Sequence, residues 1–147
     1  MRLTRYTDYS LRVLIHLAIN DDRLCSISEI SRAYEVSHNH LMKVVNALAR
    51  DGFIETVRGR TGGMRLARPA TEITVGEVVR RTEEGFQLAD CSGCALSPAC
   101  GLTGVLAEAM QAMMGVFDSY RISDLLTDRE AMRRLMNRQS PLGIGLH

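Results

Sequence analysis

Cys91-Ser-Gly-Cys94-Ala-Leu-Ser-Pro-Ala-Cys100 places three thiols within ten residues, in the pattern C-x2-C-x5-C. Soft sulfur donors on a short Gly- and Pro-containing loop can converge on one face of a metal centre, and thiolates are the ligands that iron–sulfur clusters take. Zinc is the rival, but neither a second C-x2-C nor a nearby His completes a zinc set. Spacing alone therefore reads as "metal or cluster", with the fourth ligand a nearby non-Cys group, an exogenous molecule or a residue from elsewhere. The remaining cysteine, Cys25, stands far from the loop and reads as a small buried thiol. His16, amid apolar residues, reads as a packed histidine.

A second group of residues suits nucleic acid. Ser37, His38, Asn39, His40 and Lys43 occupy the polar opening turns of a helical segment. Asn can pair bidentately with adenine, Ser and His donate or accept, and Lys reaches phosphate. Downstream, Arg58, Gly59 and Arg60 lie at the tip of a Gly-rich basic stretch that ends at Gly63. The arginines there can neutralise phosphates or enter a minor groove, while the glycines let the backbone turn or approach closely. Arg65 on the wing is a further candidate for that role, and Arg12 and Arg5 on the first helix are weaker candidate phosphate contacts.

Positioning these groups requires helices and one hairpin. Leu11, Leu14, Ile15 and Ala18 recur at helical spacing, so a first amphipathic helix is expected over about 6–20. Ser26-Ile-Ser-Glu29 has capping-box form and opens a second helix through Tyr34, and Ser37 caps a third that Gly52 ends. That order is a helix-turn-helix. Two short β runs, 53–57 and 64–67, flank the basic tip and make a wing. Thr74-Val-Gly-Glu77 caps a fourth helix through about Glu84, and 85–101 reads as a loop. Leu102, Leu106, Ala109, Met113, Val116 and Tyr120 then step by four and three, the period of a coiled-coil seam that needs a partner helix. A second copy of the chain is the simplest partner. A short helix within 123–137 and a frayed tail to His147 complete the reading.

The chain has 147 residues and a net charge of +1, with the excess of Lys and Arg in the first 70 residues and of Asp and Glu in the rest. A basic front and an acidic back fit DNA contact at one end and a different task at the other. The start of the chain lacks a secretory apolar core, and no apolar run approaches a membrane span, so a cytoplasmic protein without membrane contact is expected. No nucleophile–base pair and no phosphate-binding loop is present, which argues against an enzyme.

MRLTRYTDYSLRVL, the helix-turn-helix, VRGRTGGMRLARP, ITVGEVVRRTE and the three-cysteine loop together resemble the winged-helix iron–sulfur repressors that include IscR, NsrR and RirA, over Met1 to about Leu126. The resemblance implies a homodimer in which each long helix crosses its partner's, with a cluster near the dimer core. The IscR branch has a His three residues after the third cysteine, whereas Thr103 stands here. The NsrR branch carries an Asp in the first helix, matched by Asp8, where RirA-like members have Asn. By that resemblance Asp8 joins Cys91, Cys94 and Cys100 as a cluster ligand across the dimer interface. The C-x2-C departs from the longer first spacing of all branches, which leaves 2Fe–2S beside 4Fe–4S.

The resulting expectation is a mainly α fold with a small β-hairpin wing. It comprises a winged helix-turn-helix over 1–70, a connecting helix and cluster loop over 71–101, and a dimerisation helix and tail over 102–147. Its function would be iron–sulfur-dependent repression at inverted-repeat double-stranded DNA, with nitric oxide as the signal. An iron- or redox-responsive repressor is the alternative within the class, and an iron–sulfur electron carrier the alternative outside it.

Overall fold

The structure is a computed structural model and describes residues 2–139, so the tail expected to fray lies outside the described residues. The first helix, α1, spans Arg5–Ile19. Thr4 caps it by accepting from the Thr7 N–H at 3.3 Å, and Asp8 in the first turn complements the helix dipole. Its inner stripe of Val13, Leu14, Leu17 and Ala18 is almost fully buried. Helix α2 (Ile27–Tyr34) opens on the expected capping box between Ser26 and Glu29. Helix α3 (His38–Arg50) starts where Ser37 accepts from the His40 N–H, and it gives way at Gly52, whose φ of +82° favours glycine.

Strands β1 (Ile54–Val57) and β2 (Gly63–Leu66) pair antiparallel, with Ile54 opposite Leu66 and Val57 opposite Gly63. The hairpin is anchored rather than free. Cys25 and Met64 exchange backbone hydrogen bonds of 2.9 and 2.8 Å, which tie the wing's base to the segment entering α2. Gly63 is needed there, because a Cβ would sit 2.7 Å from the Cys25 carbonyl oxygen.

Helix α4 (Val75–Thr82) starts on the second capping box, Thr74 with Glu77, and ends two residues earlier than the periodicity suggests. Glu83, the residue after it, instead turns to the N-terminal residues that open α1. Its carboxylate accepts from the Thr4 N–H at 2.6 Å and from the Thr4 hydroxyl at 3.0 Å. The Thr82 hydroxyl donates to that of Thr7. Residues 84–101 form the loop that carries the cysteines, with one short 3₁₀ turn at Ser97–Ala99. Helix α5 (Leu102–Ser119) follows, then a 3₁₀ turn at Ile122–Leu125 and helix α6 (Arg129–Gln139). The fold is thus mainly α with a two-stranded wing, as expected.

The main core lies among α1, α2, α3 and the wing, and Ile73, Val78 and Ile122 close it from the C-terminal side. A smaller cluster, built on Val75, Val79 and Met114, joins α4 to α5 with Phe117 and Phe86 packed around it. Helix α5 buries only Met114 fully. Leu102, Val105, Val116 and Tyr120 face outward, each at least half exposed. The seam residues therefore lie largely off the α4 contact, and one helix flank is packed while the other stays open. Helix α6 returns to α1, whose last carbonyls it caps: Arg129 donates to Ala18 O at 2.7 Å and Arg133 to Ile19 O at 2.7 Å.

The α4–α5 junction has little slack. Arg80 grips Asp118 with two hydrogen bonds of 2.5 and 2.7 Å, and a Cβ on Gly76 would lie 1.9 Å from Asp118 Oδ1. Gly76→Ala should therefore destabilise the fold by about 1–3 kcal/mol, the usual cost of overpacking. Urea denaturation measures this, and an unchanged midpoint would contradict the close approach.

Candidate DNA interface and metal-ligand loop

The α2–α3 turn is held from inside. Ser31 Oγ donates to Val36 O at 2.6 Å, Val36 is buried, and Glu35 takes the left-handed conformation at φ +53°. With Leu41, Val44, Val45 and Leu48 turned to the core, Ser37, His38, Asn39, His40 and Lys43 all emerge exposed, as do Met42 and Asn46. The Ser37 hydroxyl already caps the helix, so it is shared between structure and any base contact. Helix α1 supports this surface directly, since the rings of Tyr9 and His40 lie 6.3 Å apart. Arg5, Tyr6, Tyr9, His40, Lys43 and Val44 enclose a small apolar groove of about 200 Å³. Tyr6 and Tyr9 were not singled out from the sequence. Their i, i+3 spacing, three residues before Arg12, is the signal that marks them.

On the wing, Arg58, Gly59 and Arg60 are exposed, and among the described residues neither arginine is in an ion pair. Gly59 has a φ of +113°, and a Cβ on Gly62 would strike the Val57 carbonyl oxygen at 2.1 Å. The tip thus depends on glycine at both positions. Arg65 is committed differently: it pairs with Glu55, its cross-strand neighbour. Arg12 is also engaged, with Nε 2.8 Å from Asp8 Oδ1, Nη2 3.3 Å from Oδ2, and its guanidinium 5.9 Å from the Tyr34 ring centroid.

The cysteine loop is a chain of tight turns. Asp90 accepts from both the N–H and the hydroxyl of Ser92, and those bonds hold its carboxyl below the usual carboxylate range. Cys94 N–H donates to Cys91 O, Ser97 N–H to Cys94 O, and Ala99 N–H to Leu96 O. Cys91 and Cys100 are half-buried, Cys94 is exposed, and all three thiols are free. Beside Cys91 a cleft of about 560 Å³ runs along α5, walled by Phe86, Leu106 and Met110. Of the three, only Cys91 lines this cleft, and among the described residues the three thiols do not meet in one compact ligand group. Asp8 sits half-exposed on α1, and within the described chain it does not gather with the loop thiols into one compact ligand group.

A recognition helix behind a helix-turn-helix, a glycine-dependent basic wing and a separate thiol loop define a winged-helix transcription regulator. The chain belongs to the Rrf2 family, described as iron-dependent transcriptional regulators, whose match covers residues 3–128. Proteins named HTH-type transcriptional regulator NsrR are 46% identical to it in Bacillus licheniformis, covering 93% of this chain and 100% of that protein. The Bacillus subtilis protein of the same name is also 46% identical, over 92% of this chain and 97% of its own length. Among solved structures, T. potens IscR shares the fold with a TM-score of 0.73 at 22% identity, covering 87% of this chain and 88% of that one. Staphylococcus aureus CymR in its oxidised form has a TM-score of 0.71 at 25% identity, covering 86% and 97%. The protein is a transcription regulator and not an enzyme. No helix among the described residues is long and apolar enough to cross a membrane.

The structure also shows a buried polar junction that spacing did not reveal. His16, only 4% exposed, places Nε2 3.0 Å from Glu29 Oε1, and Arg23 clamps both Glu29 oxygens at 2.8 and 3.0 Å. Burial by itself raises the Glu29 carboxyl, but hydrogen bonds from His16, Arg23 and the Ser26 N–H outweigh it and hold the group far below the usual range. Burial, aided by the nearby Glu29 charge, pushes the Cys25 thiol up to about 12. Because Glu29 ionises at lower pH in the folded chain than in the unfolded one, its stabilisation is complete above the unfolded value of about 4.3 and fades as pH falls below it. Melting temperatures should therefore drop on acidification below about pH 4, and Glu29→Gln should remove that component while lowering stability near neutrality. A Glu29→Gln variant with an unaltered acid limb would disprove the assignment.

Proposed function

We propose that this regulator is a homodimeric repressor that binds an inverted-repeat operator while an iron–sulfur cluster is in place, and releases it on reaction with nitric oxide. The observation that carries the reading is three free thiols on the loop that begins where Glu83 holds the first residues of α1. The thiolates of Cys91, Cys94 and Cys100 would hold the cluster, and Asp8 of the partner subunit would complete it, as 4Fe–4S with 2Fe–2S as the alternative. Bound there, the cluster would supply iron open to attack by nitric oxide, with a carboxylate as its most readily displaced ligand. The outward apolar flank of α5 supports pairing with a second copy, because an exposed seam of this period needs a partner helix.

The switch then lies in what Asp8 binds. In the described chain it engages Arg12, an exposed i, i+4 pair of the kind worth about 0.3–0.5 kcal/mol, which a stronger ligand can readily replace. With Asp8 held as a cluster ligand, Arg12 would be free to meet a phosphate; with Asp8 unligated, the Asp8–Arg12 pair would withdraw that contact. Base recognition falls to Ser37, His38, Asn39 and His40, with Lys43 and the wing residues Arg58, Gly59 and Arg60 on the backbone or in the minor groove. An iron-responsive reading is the second possibility, favoured by the family's description as iron-dependent.

The deciding experiment measures operator retention by anaerobically purified protein before and after stoichiometric nitric oxide, with iron chelation as a parallel arm. Loss with nitric oxide supports the first reading. Loss only on chelation supports the second. Retention under both conditions overturns the two together. Asp8→Ala should change the cluster's visible absorption, and an identical spectrum removes Asp8 from the ligand set.

On DNA, Asn39→Ala should cost about 1–3 kcal/mol at the operator with little effect on unrelated sequence. Arg60→Ala should instead weaken both and lower the salt slope by about one. Equal loss on all sequences for Asn39→Ala would remove it from base readout.

A further inference from the structure

We propose that His16, Cys25 and Glu29 form a second metal site, one for a single divalent d-block cation of the zinc, cobalt or ferrous type, separate from the cysteine loop. Their ligand atoms lie within 4.8 Å of one another, and they come from three different segments: α1, the stretch entering α2, and the first turn of α2. One imidazole, one thiolate and one carboxylate make a mixed donor set that suits these ions and not calcium or magnesium.

His16 turns Nε2 to Glu29, so Nε2 is the ring atom that would ligate, and the buried, unpartnered Nδ1 lies on the opposite side of the ring. A cavity of about 390 Å³ opens onto His16 and Glu29 and leaves room for a water as fourth ligand; Cys25 lies behind it and does not line it, and Arg23, Arg32 and Arg133 on its wall are the cations an entering ion would have to displace or face.

Charge also balances. At present Arg23, about half exposed, is the cation on Glu29. An entering M²⁺ would take its place, the Cys25 thiol would give one proton to solvent, and Arg23 would turn outward, leaving M²⁺ matched by one thiolate and one carboxylate. Because Cys25 is hydrogen-bonded in both directions to Met64 of the wing, occupancy would clamp the wing's base to α1 and α2.

The test uses the full chain with Cys91, Cys94 and Cys100 all replaced by Ser, so no loop thiol can bind metal and the cluster reading is untouched by failure. Anaerobic titration with Co²⁺ should give a thiolate-to-cobalt charge-transfer band and tetrahedral d–d bands that saturate at one ion per chain. Cys25→Ser should abolish the charge-transfer band. Arg23→Ala, a surface change that leaves the core intact, should tighten Co²⁺ binding about tenfold by removing a charge-assisted competitor. Absence of the charge-transfer band, its survival in Cys25→Ser, or unchanged affinity in Arg23→Ala would each overturn the site.

Discussion

Helix α1 is held at both ends by residues far from it in the sequence, and most of the molecule is arranged around that constraint. Glu83 and Thr82 secure its first turn, and Arg129 and Arg133 cap its last carbonyls. Between them, Val13, Leu14, Leu17 and Ala18 are buried against α2, α3 and the wing. Each fully buried aliphatic side chain of this size contributes about 1.5–3 kcal/mol, so the middle of the helix is fixed by packing and not by its caps. The caps determine where its two ends point.

That arrangement links two surfaces that share no residues. The N-terminal turns of α1 carry Asp8 and Arg12 on one side and place Tyr9 against His40 of the recognition helix on the other. The loop bearing the cysteines departs from the residue that holds Thr4. A change at the loop therefore has a short mechanical route to the recognition helix. It runs through hydrogen bonds to a helix end, which can rearrange at low cost, while the buried stripe that defines the fold stays in place.

The contrast in magnitudes explains which contacts are suited to switching. Asp8–Arg12 and Arg23–Glu29 both involve partly exposed arginines that solvent can recover. The exposed Asp8–Arg12 pair adds little to stability, whereas Glu29 is held in addition by His16 and the Ser26 N–H. The apolar flank of α5 is a different kind of feature: it is stable in place on α4 but incomplete without a covering surface.

Much of this was legible from the chain alone. Capping boxes at Ser26 and Thr74, the stop at Gly52 and the glycine-rich wing are local rules, and each is satisfied where the sequence places it. Local hydrogen bonding and steric limits act over a few residues, so they can be read without knowing the fold. The exposure of Asn39 and Lys43 followed from helical periodicity for the same reason. What only the tertiary structure decided were partnerships between distant residues: Glu83 with Thr4, Arg133 with Ile19, Arg80 with Asp118, and His16 and Cys25 with Glu29. An acid or an arginine has no spacing signal for a partner that lies far along the chain, because the contact arises from how the helices pack. The identity of Arg12's neighbour illustrates the boundary. Sequence marked it as a basic residue on α1 that could add a phosphate contact, and only the fold shows that Asp8 and the Tyr34 ring lie beside it.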